Sequence, residues 1–175
     1  MKDTRVILVD ESDNQTGTMP KMQAHEEGKL HRAVSVFIFN SSGQWLIQKR
    51  AENKYHSQGL WTNTCCTHPL PGESAAHSAG RRLEEEMGMK CNLKEIFTFI
   101  YREKLENGLT EYEYDHVFAG YSDDEPLADS EEVMDWKYAD FGFLSRDISE
   151  NPGSYTVWFR EIYGRVNSII KNSRG

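Results

Sequence analysis

Residues 61–88 read Trp-Thr-Asn-Thr-Cys-Cys-Thr-His-Pro-Leu-Pro-Gly-Glu-Ser-Ala-Ala-His-Ser-Ala-Gly-Arg-Arg-Leu-Glu-Glu-Glu-Met-Gly. From Ser74 to Met87, Ala75, Ala79, Leu83 and Met87 recur every four residues. That spacing predicts one apolar helical stripe, with Arg81, Arg82, Glu84, Glu85 and Glu86 turned elsewhere and Gly88 as the stop. Upstream of the helix, a turn-rich stretch carries a thiol at Cys66, an imidazole at His68 and a carboxylate at Glu73. A thiol two residues before a histidine, next to a helix of arginines and glutamates, brings together groups for thiol, metal and phosphate chemistry. Cys66 is the leading catalytic candidate.

The rest of the chain is mostly strand. Val34 to Phe39 and Trp45 to Lys49, around Asn40-Ser41-Ser42-Gly43-Gln44, read as a hairpin of β-branched and aromatic residues about a turn-rich gap. Arg50 and Lys54 follow its second strand. Ile96 to Lys104 and Leu109 to Tyr121 form long strands around Glu106-Asn107-Gly108, and Val133 to Tyr138 another. A final helix from about Tyr155 to Lys171 carries Trp158, Ile162, Val166 and Ile169 on one side. This order, with one internal and one terminal helix, predicts an α+β fold with helices packed on a mixed sheet. Strand alternation puts Glu111, Glu113 and Asp115 on one face, about 7 Å from one to the next. A three-residue turn with Gly108 left-handed sets Leu105 opposite Leu109 and Tyr101 opposite Glu113. A two-residue Asn-Gly turn would set Arg102 opposite Glu113. The first register is preferred, because a tyrosine can orient a buried acid without locking it into an ion pair.

A length of 175 residues suits one domain spanning 1–175, and no repeat, low-complexity tract or linker divides it. No stretch approaches the ~20 apolar residues of a membrane span. The apolar run Val6 to Val9 is too short for a secretory signal, and three cysteines, two of them adjacent, make no disulfide framework. A cytoplasmic protein with a reduced Cys66 is the expectation. The net charge of -8 argues against nucleic acid as a partner. Lys21, Arg50, Lys54, Arg81 and Arg82 nevertheless flank the proposed site, which suggests a small anionic ligand.

Taken together, the segment 61–69, the arginine and glutamate helix and Glu-Tyr-Glu at 111–113 resemble the type I isopentenyl-diphosphate isomerases, over nearly the whole chain. These belong to the Nudix-fold superfamily, with helix motif Gly-x5-Glu-x7-Arg-Glu-apolar-x-Glu-Glu-x-Gly. Glu73, Arg81, Leu83, Glu85, Glu86 and Gly88 fit that motif. Thr67 stands in place of its first glycine. Arg82 replaces a glutamate that helps to hold magnesium in Nudix hydrolases, which counts against pyrophosphate hydrolysis.

The resemblance implies a Nudix-like mixed sheet with flanking helices and an allylic proton shift between isopentenyl and dimethylallyl diphosphate. It implies a site for Mn2+, Zn2+ or Mg2+ formed by His25, His31, His68, Glu111 and Glu113; the residue types suit a six-coordinate ion with one open or bidentate position. His25 reads as a loop residue and His31 as a strand start, while His56, His77 and His116 fit no ligand pattern. Glu86 and Cys66 would hold a second Mg2+ arriving with the substrate diphosphate. Glu113, held by the metal and by Tyr101, is the expected proton donor. Cys66, as a thiolate lowered by nearby cationic or metal charge, is the expected acceptor. Trp158 would offer its indole face to the tertiary carbocation, with Trp61 as a second wall. Lys21, Arg50, Lys54 and Arg82 would bind the diphosphate. Val157 stands where the family commonly has proline. Cys65 and Cys91 read as small buried residues without a catalytic part. A monomer, and metal-dependent ordering of residues 18–32, are further expectations. The competing readings are a Nudix hydrolase of a nucleoside diphosphate derivative, which has no use for Cys66, and a non-catalytic diphosphate-binding module.

Overall fold

β3, His31–Phe39, organises the molecule. Its stretch Val34 to Phe39, apolar but for Ser35, is buried on both faces: Phe37 and Phe39 join one core cluster, Val34, Val36 and Ile38 the other. A strand with no polar face must lie inside a sheet covered on both sides. The computed structural model of the chain describes residues 4–174 and has that arrangement. β3 pairs in parallel with β8, Thr110–Tyr121, from His31 opposite Glu113 to Phe39 opposite Tyr121. It pairs antiparallel with β6, Cys65–Thr67, which sets Ser35 opposite Cys66.

The expected hairpin of β3 with β4, Trp45–Arg50, exists only beside its turn, at Ile38–Leu46 and Phe39–Trp45. Beyond those pairs β3 is taken by β6 and β8, and β4 pairs with β9, Val133–Ala139, and with the short β5, Trp61–Thr62. β7, Leu93–Lys104, runs antiparallel to β8. An N-terminal hairpin, β1 Arg5–Val9 and β2 Gln15–Pro20, joins the sheet through Leu8 opposite His31.

α1, Lys21–Glu27, follows β2 directly, so His25 is helical and not a loop residue. This helix has no side-chain cap. Tertiary contacts hold it instead, with Lys21 N–H donating to Thr4 O at 2.8 Å and Gly28 closing it at φ 61° beside Thr110. α2, Ala75–Met87, has the expected bounds. The Ser74 hydroxyl accepts from the His77 amide, and Gly88 ends the helix at φ 62°, where Leu127 leaves no room for a Cβ. Its stripe buries Ala79, Leu83 and Met87 against the Val34–Ile38 face.

α3, Phe141–Glu150, was not expected; with α4, Val157–Arg174, it covers the opposite face. In α4 the buried side runs through Trp158, Ile162, Val166 and Ile170, four residues apart, with Ile169 at its edge. Among the described residues no helix is long and apolar enough to cross a membrane.

Arg81 ties the start of α2 to the loop before it. Its Nε and Nη2 reach Glu73 at 2.7 and 3.0 Å, and its Nη1 reaches Glu85. The Arg81 hydrogen bonds hold Glu73 down at about 2, from an ordinary 4.5, with burial opposing. A depressed carboxyl contributes stability above its unfolded pKa and loses it as pH falls through the folded one. Glu73→Gln should therefore flatten the fall of Tm between pH 4.5 and 2 relative to the wild type, as measured by thermal unfolding across that range.

Candidate active site

The expected three-residue turn is present: Gly108 sits at φ 78°, Leu105 N–H donates to Leu109 O at 2.8 Å, and Tyr101 lies opposite Glu113. The tyrosine hydroxyl, however, donates to Glu111 Oε2 at 2.6 Å and not to Glu113. A long side chain reaches its diagonal neighbour across a twisted pair as readily as its direct partner. Glu113 is held from the other side. His31, its partner in the parallel pairing, brings Nε2 to 3.7 Å from Oε1, and His68 brings Nε2 to 3.0 Å.

His25 Nδ1 lies 2.7 Å from Lys21 O and His31 Nδ1 2.8 Å from Lys29 O. A carbonyl only accepts, so both rings carry their proton on Nδ1 and leave the Nε2 lone pair free. Buried His31 Nε2 makes no hydrogen bond. Burial lowers His25 below its ordinary value and takes His68 down to about 3, so both rings are neutral. The donor atoms of His25, His31, His68 and Glu113 lie within 4.8 Å of one another, an arrangement that fits a divalent cation. Glu111 falls in a second such group, with His25 and His56. His56 is therefore buried beside Glu111, contrary to its exclusion from the ligand pattern, whereas His77 is exposed and His116 bridges Asp13 and Glu95 away from the site.

Cys66 faces a cleft of about 500 Å³ also lined by Tyr101, Glu111, Glu113 and Trp158. Asn63 sets the thiol. Its Oδ1 accepts from Cys66 Sγ at 3.3 Å, from Trp158 Nε1 at 3.3 Å and from Thr62 Oγ1 at 2.9 Å. Its Nδ2 donates to Val36 O and Cys65 O. On the other side Ser35 Oγ lies 3.6 Å from the sulfur and donates to Asp115 Oδ2 at 2.6 Å. One amide thus fixes both a thiol and an indole, a role no sequence spacing signals. Asn63→Ala would remove the amide's bonds to two carbonyls and leave the indole N–H unpaired in the interior, at roughly 1 to 3 kcal/mol for a buried group left unsatisfied. A loss of at least ~1 kcal/mol in denaturant unfolding is expected.

The expected thiolate is not what the protein's own charges produce. Burial, and after it Asp115, push the Cys66 thiol up to about 12, and Arg50 is too weak a counterweight. Burial would raise Glu113, but the facing imidazoles of His31 and His68 outweigh it and hold the carboxyl well below its ordinary value. From the protein's own groups alone, sulfur keeps its proton and Glu113 is ionised.

Lys21, Arg50, Lys54 and Arg82 line the same cleft, as expected of anion-binding groups. Burial lowers Lys21 and Lys54 to about 8, against the opposing pull of Glu113 and Glu86 respectively. Arg82 Nη2 meets Glu86 Oε1 at 2.5 Å and Glu132 Oε2 at 2.7 Å, and Lys54 also pairs with Glu132, a residue the sequence did not single out. Gln48, another such residue, donates to Glu86 Oε2 at 2.6 Å. The Arg50 guanidinium lies 5.3 Å from the Trp158 ring centre, so this indole already faces a cation. Trp61 does not line the cleft. It packs at the edge of the core with Lys137 Nζ 4.3 Å from its ring centre, because alternation along β5 points Thr62, and not Trp61, toward Asn63 and Thr156. Cys65 is buried as expected, while Cys91 is only half-buried.

A family profile described as the NUDIX domain matches residues 29–159. Isopentenyl-diphosphate Delta-isomerase 1 of Aromatoleum aromaticum is 50% identical over 170 residues, covering 97% of this chain and 96% of its own. The isopentenyl-diphosphate Delta-isomerase of Pectobacterium atrosepticum is 48% identical over 163 residues, covering 93% and 91%. Among solved structures, DR0079 of Deinococcus radiodurans has a TM-score of 0.70 at 20% identity, covering 84% of this chain and 90% of its own. A C. elegans Ap4A hydrolase has a TM-score of 0.57 at 17% identity, covering 81% and 98%. These structural likenesses speak for the fold, and the sequence relatives narrow it: a thiol and a histidine-rich acid cluster sharing one cleft on a NUDIX domain belong to a chain of the isopentenyl-diphosphate Delta-isomerase family.

Proposed function

We infer that this protein interconverts isopentenyl and dimethylallyl diphosphate. The observation that carries the reading is one cleft lined at once by Cys66, Glu113, Trp158 and the four cations Lys21, Arg50, Lys54 and Arg82. The cations bind the diphosphate, and Arg82 and Lys54 exchange Glu132 for phosphate oxygens. With the diphosphate anchored, the five-carbon chain lies between Cys66 and Glu113. One group adds a proton to C4 of the C3=C4 bond, the positive charge develops at C3, and the other removes a proton from C2 to leave the C2=C3 bond. The pair holds the single proton this exchange needs. Trp158 faces the cation with its ring, an interaction of about 1 to 2 kcal/mol when desolvated.

His25, His31, His68, Glu111 and Glu113 hold a divalent ion, Mn2+, Zn2+ or Mg2+. When bound, that ion supplies positive charge that orders the carboxylates, while Mg2+ brought with the diphosphate, near Glu86 and Cys66, neutralises phosphate charge. Tyr101 positions Glu111 through its hydroxyl. We place this chemistry in a single domain over residues 1–175, acting as a cytoplasmic monomer on a small diphosphate, without nucleic acid or membrane as partner.

Residues 18–32 carry Lys21, His25 and His31, so metal should order them. Hydrogen exchange over this segment is expected to slow on loading chelated protein with metal, and equal exchange in the two states would refute it. Phosphorus NMR of the protein with isopentenyl diphosphate and Mg2+ tests the activity: conversion with the diphosphate intact supports isomerisation, and release of inorganic phosphate would point to hydrolysis instead.

A further inference from the structure

His56 sits in the loop between β4 and β5, where nothing periodic marks it, yet it is 6% exposed and its Nε2 lies 3.0 Å from Glu111 Oε1. The loop is built to hold it there. Ser57, the next residue, is in the left-handed region at φ 53°, a conformation that a non-glycine residue keeps only where its surroundings enforce it. Arg50 Nη2 donates to the His56 carbonyl, and Asn107 Nδ2, from the β7–β8 turn, donates to the Tyr55 carbonyl. The imidazole packs edge-on against Tyr55 and Trp158. Ser57 Oγ, 3.1 Å from Nδ1, can accept that ring proton and leave Nε2 with its lone pair.

His25 belongs to both groups of converging donors, His25 with His31, His68 and Glu113, and His25 with His56 and Glu111. With its Nδ1 committed to Lys21 O, it has one lone pair and serves one ion. The two groups therefore compete for His25 unless they are two sides of a single centre. We propose that His56 is a ligand of that centre, so that His25, His31, His56, His68, Glu111 and Glu113 together supply six protein donors and no position is left for water. The proposal rests on the metal-centre reading above and extends it. Six donors suit an ion that takes six ligands, such as Mn2+, better than tetrahedral zinc. An ion enclosed in this way orders Glu111 and Glu113 and activates no water.

The test uses chelated full-length protein loaded with one equivalent of Mn2+ in the absence of any diphosphate. Water-proton relaxation and pulsed EPR with 15N-histidine labelling are expected to report no bound water and four coordinated imidazoles in the wild type. His56→Ala should weaken Mn2+ binding by at least ~10-fold, the scale typical of removing a supporting group at a metal, and admit one water to the ion. Three imidazoles with a bound water in the wild type would overturn the role of His56 and leave the centre standing. No stoichiometric Mn2+ binding at all would overturn both. The wild-type count needs no substitution, so it decides the matter even if the alanine variant does not fold.

Discussion

Cys66→Ala is expected to lower kcat for isomerisation by at least about 10³-fold while leaving the fold and diphosphate binding nearly intact. The magnitude follows from removing one of two groups that must exchange protons with carbon, where a positioned acid or base contributes roughly 10² to 10⁴. The fold should survive because the sulfur's contacts are weak ones, a 3.3 Å bond to Asn63 and a 3.6 Å approach to Ser35, and Asn63 keeps its other four partners. KM should move little, since the cations that bind diphosphate are untouched. The informative comparison is kcat against KM in steady-state assays. A variant that loses KM and keeps kcat would place Cys66 in binding alone.

Glu113→Gln should be as damaging and should differ in kind. Glutamine preserves the shape but can neither carry the proton nor offer the charge to which His68 and His31 are turned at 3.0 and 3.7 Å. Loss of kcat by about 10³-fold or more should therefore come with metal affinity weaker by roughly 10- to 100-fold. Titration of chelated variant with Mn2+ separates the two effects. Activity restored in full by saturating metal would mean that Glu113 acts only as a ligand.

What the sequence made legible was local. The α2 boundaries followed from Ser74, the four-residue stripe and Gly88, all of which act within one helix. The β7–β8 register followed from the left-handed glycine at 108, because a turn type sets every pairing beyond it. The site residues quoted for the family were drawn from resemblance, and the fold brings nearly all of them into one cleft or cluster.

What stayed hidden depends on contacts far apart in sequence. β3 runs parallel to a strand some eighty residues later, and no hairpin pattern announces that. α1 is a seven-residue helix with no side-chain N-cap, closed by Gly28 and tied to Thr4 through the Lys21 amide. Asn63, Glu132 and His56 lie in segments without periodicity, and their roles come from what the sheet sets beside them. What the protein's own groups do to the Cys66 thiol was hidden for a similar reason. The nearby cations were readable in the sequence, but the burial that outweighs them was not.

The most direct test of the account is proton NMR of the protein with isopentenyl diphosphate and Mg2+ in D2O. Appearance of dimethylallyl diphosphate with deuterium in a methyl group is the expected result, since the proton added to C4 comes from an enzyme group that exchanges with solvent. Full metal occupancy with no dimethylallyl product, or product without solvent deuterium at the methyl, would contradict the assignment of Cys66 and Glu113 as the proton-exchanging pair.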